Sequence, residues 1–274
     1  MRHWLCTISA AALLASGTAF AADLGGPPPA PVPPPPIFTW TGFYIGADIG
    51  GIWTTDKLTE TTTFFSPPLT GSASLDGSGV IGGLHAGYNW QAGSWVYGLE
   101  GDFQATSLKT TSTCLIQDAG VGNPSPGACF AQANGAVYTG YNFSTELPWQ
   151  GSVRGRLGYA FGNALLYATG GVAFADIRTT YTTFGGSTPG SESFDQTRAG
   201  LTVGAGLEYA LSANLSARVE YRFSDFGTLT NPITSGGAFW NHYMDSHSVQ
   251  ENAVLFGISY KFGAPPPPVV AARY

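Results

Sequence analysis

Along positions 42–49, Phe43, Ile45, Ala47 and Ile49 alternate with Tyr44, Gly46 and Asp48, so every second side chain is apolar. That period is the spacing of a β-strand with two unlike faces. The alternation recurs at 79–91, 94–106, 149–161, 164–176, 198–211, 214–226 and 251–262, which makes eight segments. Ala92-Gly93, Gly162-Asn163 and Ser212-Ala213 are tight connections, whereas 55–78, 107–148, 177–197 and 227–250 are long ones. Short and long connections alternate strictly, as they do in barrels with short periplasmic turns and longer extracellular loops. The pattern predicts an all-β fold: an eight-stranded antiparallel transmembrane β-barrel with four long extracellular loops.

The two strand faces differ enough to orient the wall. One carries Trp95, Tyr97, Leu99 and Phe103, then Val153, Leu157, Tyr159 and Phe161, then Leu201, Val203, Leu207 and Tyr209. Leu215, Val219, Tyr221 and Phe223, followed by Val254, Phe256, Ile258, Tyr260 and Phe262, continue it in the last two segments. The opposite face holds Asp48, His85, Glu100, Asp102, Arg154, Arg156, Glu208, Arg218, Glu220, Arg222 and Lys261 among Gly, Ser and Thr. Burying those charges unpaired in an apolar core costs several kcal/mol each, on the order of 3–5. A polar lumen accepts them, and an eight-stranded barrel is only just wide enough for side chains to fill. Paired charges crossing a narrow lumen predict a plugged interior whose salt bridges hold the strands in register. Trp40, Tyr88, Trp90, Trp95, Trp149, Tyr159, Phe161 and Tyr209 are expected to form an aromatic girdle at the membrane boundary.

Composition supports this picture. With 38 Gly, 14 % aromatic and only 10 % charged residues, the chain is poor in helix formers. Residues 1–21 carry Arg2, an apolar stretch and the small-residue site Thr18-Ala19-Phe20-Ala21, and are expected to be a cleaved signal peptide. Residues 22–37 read as a Pro-rich periplasmic linker, 38–263 as the barrel and 264–274 as a Pro-rich tail. After the signal, no apolar run reaches the length of a transmembrane helix. Removing Arg2 takes the formal charge from −6 to −7, and no basic patch is available for nucleic acid. Cys6 leaves with the signal, so Cys114 and Cys129 are expected to pair in a disulfide across a flexible Gly- and Pro-containing loop.

Three motifs carry a family resemblance. Trp40-Thr41-Gly42-Phe43-Tyr44-Ile45-Gly46 resembles the opening strand of the alphaproteobacterial outer-membrane surface-antigen proteins, a porin-family branch of the OmpA-like eight-stranded barrels. Residues 218–227, from Arg218 through Tyr221 and Phe223 to Gly227, resemble that family's penultimate strand, and 256–262 its last. The resemblance implies residence in the outer membrane, with its lipid and lipopolysaccharide as surroundings and the barrel-assembly machinery as a partner during insertion. It also implies roles in envelope integrity and surface contact, and no catalytic residues. Family members commonly stop at the aromatic that ends the last strand, whereas here Phe262 is followed by a tail to Tyr274; either aromatic could be the assembly signal.

Rival readings stay open at this stage. A narrow porin follows if the lumen pairs part. A surface adhesin follows if the long connections, Thr-rich at 59–63 and 179–183, bind external ligands. His242, Asp245 and His247 are the candidates for a hydrolase or metal site, but nothing fixes a Ser beside them, so no enzyme, cofactor or metal is expected. A soluble lipocalin-like barrel would need the apolar face inside and leaves the alternating connection lengths unexplained.

Overall fold

The computed structural model describes residues 38–62, 69–118, 131–132, 137–185, 190–233 and 243–263. Eight long strands form the wall. They are β1 (Gly42–Thr62), β2 (Leu69–Ala92), β3 (Trp95–Asp118), β4 (Val137–Phe161), β5 (Ala164–Gly185), β6 (Ser191–Ala210), β7 (Leu215–Ile233) and β8 (Tyr243–Lys261). Each pairs antiparallel with its sequence neighbours, and β1 also pairs with β8 from Tyr44–Lys261 to Thr62–Tyr243. The barrel is therefore closed, which leaves no strand edge in the ring. A two-residue stretch, Ala131–Gln132, runs parallel to the far end of β3.

Short turns close one end. Gly93 turns the β2–β3 hairpin at φ +62°, a conformation that favours glycine. The β6–β7 turn is wider, spanning 211–214, and Leu215's carbonyl accepts from the amides of Leu211 and Ser212 at 2.8 and 3.1 Å.

At the other end the strands run well beyond the eight segments predicted from alternation. Much of the sequence expected to be loop, including Thr59–Thr62 and Thr179–Thr183, is laddered strand. The extensions escape a search for apolar alternation because they are rich in Thr and Ser, and β-branched Thr pairs readily in a sheet. At about 3.3 Å per residue and about 40° tilt, a 24-residue strand such as β2 rises about 60 Å along the axis, against an apolar band of about 25 Å. About half of the wall therefore stands clear of the hydrocarbon core. Register shifts mark the boundary, at Ala105/Leu108 between β3 and β4, Glu146/Gln150 between β4 and β5, and Asp225/Thr228 between β7 and β8. The second contains Pro148, which a regular ladder does not accept but a bulge does.

In the short-turn half the outward face is the apolar one expected: Ile49, Leu99, Phe103, Val153, Leu157, Leu207, Phe256 and Ile258 are all exposed. Tyr88, Trp90, Trp95, Tyr97, Tyr159, Phe161 and Tyr209 lie outward near the short turns, and Trp90 stacks on Tyr97 at 5.9 Å. Two members expected in this girdle sit elsewhere. Trp40 precedes β1, where strand parity does not apply; it is 2 % exposed and plugs the short-turn mouth of the lumen with Val96, Leu165, Tyr167 and Ala210. Trp149 lies beside the bulge at the opposite boundary, stacked on Phe103 at 5.6 Å.

Candidate functional site

Four arginines fill the middle of the lumen. Arg154 and Arg156 point inward from β4 and Arg218 and Arg222 from β7, spaced by two and by four residues, so that each pair shares the inner face. Arg154 donates to Glu100 at 2.7 Å and Asp102 at 3.1 Å through Nη2, and to Glu220 at 2.5 Å and Thr169 at 2.9 Å through Nη1. Arg218 spans the other side, reaching Glu100 at 2.6 Å and Asp48 at 2.9 and 3.1 Å. Arg222 joins Asp102 at 3.2 Å, Gln104 at 3.0 Å and Glu220 at 3.1 Å. Arg156 pairs with Glu208 and lies 3.8 Å from the centre of the Tyr167 ring. The planar fork of arginine suits such bridging, since one head can serve several carboxylates.

Neutral groups complete the network. Tyr44 donates to Glu100 at 2.7 Å, Tyr167 to Glu220 at 2.9 Å, and Ser152 and Ser216 to Asp102 and Glu208 at 2.5 Å. His85 lies 2.8 Å from both Asp48 and the Ser259 hydroxyl. Glycine makes room for these groups. A Cβ at Gly257 would lie 2.1 Å from Asp48 Oδ1 and 3.1 Å from the Arg218 side chain.

Asp48, Glu100, Asp102, Arg154, Arg156, Glu208, Arg218, Glu220 and Arg222 thus meet in one cluster, with His85 at its edge. Lys261 does not join them. It closes β8 at the short-turn rim, donates to the Thr39 carbonyl and sits 4.2 Å from the Phe38 ring centre; among the described residues it makes no ion pair. Sequence reasoning missed Glu251, which is 1 % exposed on the inner face of β8. It shares strand parity with Lys261, a signal that was available. Among the described residues, four arginines therefore meet five carboxylates in the cluster, with Glu251 a sixth buried on the inner face.

Above the charges the lumen becomes apolar. Ile52, Ile81, Leu108, Leu147, Ala175, Ile177, Phe226, Val249 and Leu255 form one buried cluster, and farther along β4 and β5 Phe143 meets Tyr181 edge to face at 5.1 Å. A polar lumen alone was expected here; this second layer begins within the height of the outward belt, where Ile81 and Leu255 alternate with exposed Val80 and Phe256. It continues to Leu108, Leu147 and Ile177 in the overhang, where water outside makes the inside the place for apolar side chains.

His242 and Cys129 lie outside the described residues, as do residues 1–37 and 264–274. Asp245 and His247 are placed only as backbone partners of Asn231 and Leu229 in the β7–β8 ladder, and Cys114 only as the partner of Tyr141.

The model of the outer membrane protein beta-barrel domain matches residues 8–262. The chain is similar to the 31 kDa outer-membrane immunogenic protein of Brucella melitensis, 31% identical over 261 residues that make up 93% of this chain and 97% of that protein. It is 30% identical over 230 residues to the 22 kDa outer membrane protein of Rhizobium leguminosarum bv. viciae, covering 84% of this chain and 82% of that one. Among solved structures, the outer membrane protein OprG from Pseudomonas aeruginosa aligns with 84% of this chain and 100% of its own at 14% identity and a TM-score of 0.43. Neisserial surface protein A aligns with 81% and 98% at 16% identity and a TM-score of 0.36. A closed eight-stranded barrel with an apolar outer belt, together with the family model and the two similar outer-membrane proteins of Brucella and Rhizobium, makes the chain an outer-membrane protein belonging to the outer membrane protein β-barrel domain family.

Proposed function

We propose that this protein is a non-conducting structural barrel that carries a rigid wall beyond the outer leaflet and presents surface-contacting loops at its tip. The observation that supports it is the ion-pair cluster, in which Arg154 and Arg218 both hold Glu100 and tie β3, β4 and β7 together across the lumen. Opening a water path would require several of these charge-assisted hydrogen bonds, among them Arg154 to Glu100 and Glu220 and Arg218 to Glu100, to part together. The aromatic plug at Trp40 and the apolar layer around Leu147 and Ile177 add two further closures.

The role is one of envelope integrity and surface contact rather than catalysis. Outer-membrane lipid and lipopolysaccharide surround the belt, the barrel-assembly machinery inserts it, and external ligands meet the loops. Planar-bilayer recording tests the closed lumen: the full chain is expected to give no steady conductance. A steady conductance that changes on Arg154→Gln or Glu100→Gln replaces this reading with a narrow porin.

A further inference from the structure

Among the described residues two ladders end early, β2–β3 at Ile81–Thr106 and β6–β7. At the first the strands stay in contact, since a Cβ at Gly79 would lie 2.8 Å from the Leu108 amide nitrogen; the second is a seam. The β6–β7 ladder runs from Ala210–Ser216 only to Leu201–Asp225 among the described residues. On their other sides both strands continue, β6 with β5 to Ser191 and β7 with β8 to Ile233. The parting coincides with the bulge at Asp225/Thr228, where Gly227 takes φ +74° and turns β7 away. Beside it lies a groove of about 450 Å³, lined by Val172, Ala199, Gly200, Leu201, Asp225 and Phe226, with Gly227 at its rim. It is open along its outer side rather than enclosed.

Three features fix the chemistry of what the groove would hold. Val172, Ala199 and Leu201 face outward, Leu201 at 72 % exposure, so the groove is continuous with the lipid-facing belt. The carboxylate of Asp225 is occupied within the protein, accepting from the Gly227 amide at 2.8 Å and from Gln250 at 3.3 Å, so it offers little to a polar headgroup. The inner wall is Phe226, a buried member of the apolar layer in the lumen. We propose that this seam is a lateral site for one acyl chain of an outer-leaflet lipid, which lies against Phe226 and thereby contacts the apolar lumen layer through the wall. It adds a lipid-binding site to a barrel otherwise closed by its own side chains.

The test uses the full chain in vesicles of phosphatidylcholine with or without bromine in one acyl chain, bromine being a short-range quencher of tryptophan. Phe226→Trp and Ile52→Trp each add an emitter to the same inward apolar layer, but Ile52 is laddered on both sides, to Gly79 and Ala253. The emission added over wild type is expected to be largely lost to brominated lipid for Phe226→Trp and retained for Ile52→Trp. Ala199→Phe, filling the groove in the first variant, should restore it. Equal quenching at both positions, no quenching at either, or no restoration overturns the site. If Phe226→Trp gives no heat-modifiable barrel, the wild-type chain is photolabelled with a lipid carrying a diazirine in its acyl chain. An adduct on Phe226 supports the site, and adducts confined to the outward Val172 and Leu201 overturn it.

Discussion

The same eight strands run through both halves of this wall, and the polarity of their two faces inverts between them. In the half near the short turns, Leu99, Leu157, Leu207 and Ile258 face outward while Arg154, Arg218, Glu100 and Glu220 are buried inside. In the overhanging half, Leu147, Ile177, Phe143 and Tyr181 are inside. Its outer surface there carries the Lys109–Glu146 pair at 2.6 Å and the Thr180–Ser193 contact at 3.1 Å. Strand geometry is the same in both, so the surrounding solvent decides which face is apolar. Hydrocarbon demands an apolar exterior and leaves the charges the lumen, while water restores the ordinary arrangement.

Removing a charge from the lower lumen should have the largest effect. Arg154→Met leaves Glu100, Asp102 and Glu220 short of a partner and is expected to cost about 3–5 kcal/mol, read as a lower urea midpoint in lipid vesicles. In the overhang the corresponding damage comes from a cavity. Leu147→Ala, at a buried position in the apolar layer, should cost about 2–5 kcal/mol by the same measurement while insertion into the membrane is preserved.

One substitution on the outer face in both halves sharpens the contrast. Leu157→Arg places a charge in the belt and is expected to cost about 2–4 kcal/mol, whereas Thr180→Arg in the overhang should stay within about 0.5 kcal/mol of wild type. Equal costs would mean that both positions see the same solvent. The smallest effect is expected for Lys109→Ala. Its pair is exposed, so the loss should be between about 0 and 1 kcal/mol and should shrink further in high salt.

The belt was legible because it breaks the usual rule in a regular way: an uninterrupted apolar face opposite a face with Arg154, Arg156, Arg218 and Arg222 has no place in a soluble core. Gly93 and the other short-turn residues were legible as local chemistry. The overhang was not, since Thr59 and Thr180 carry no apolar alternation and the only signal for their pairing is the ladder continuing from below. Ile52, Ile81 and Ile177 lie on the inward parity of their strands, but without knowing where the bilayer ends an apolar residue on a charged face reads as an exception. Trp40 and Lys261 were misplaced for a related reason, because side-chain parity predicts a face only while the strand is regular and says nothing about height in the lumen.

The claim that solvent changes along one wall is tested most directly by placing nitroxide labels singly at outward positions of β5, in vesicles, and measuring their accessibility to oxygen and to a polar nickel chelate. Leu166, Val172 and Phe174 are predicted to be reached by oxygen and shielded from nickel, with the preference reversed at Arg178, Thr180 and Thr182. A nickel-accessible profile along the whole strand would contradict the membrane belt. An oxygen-rich profile that continues through Thr182 would contradict the overhang.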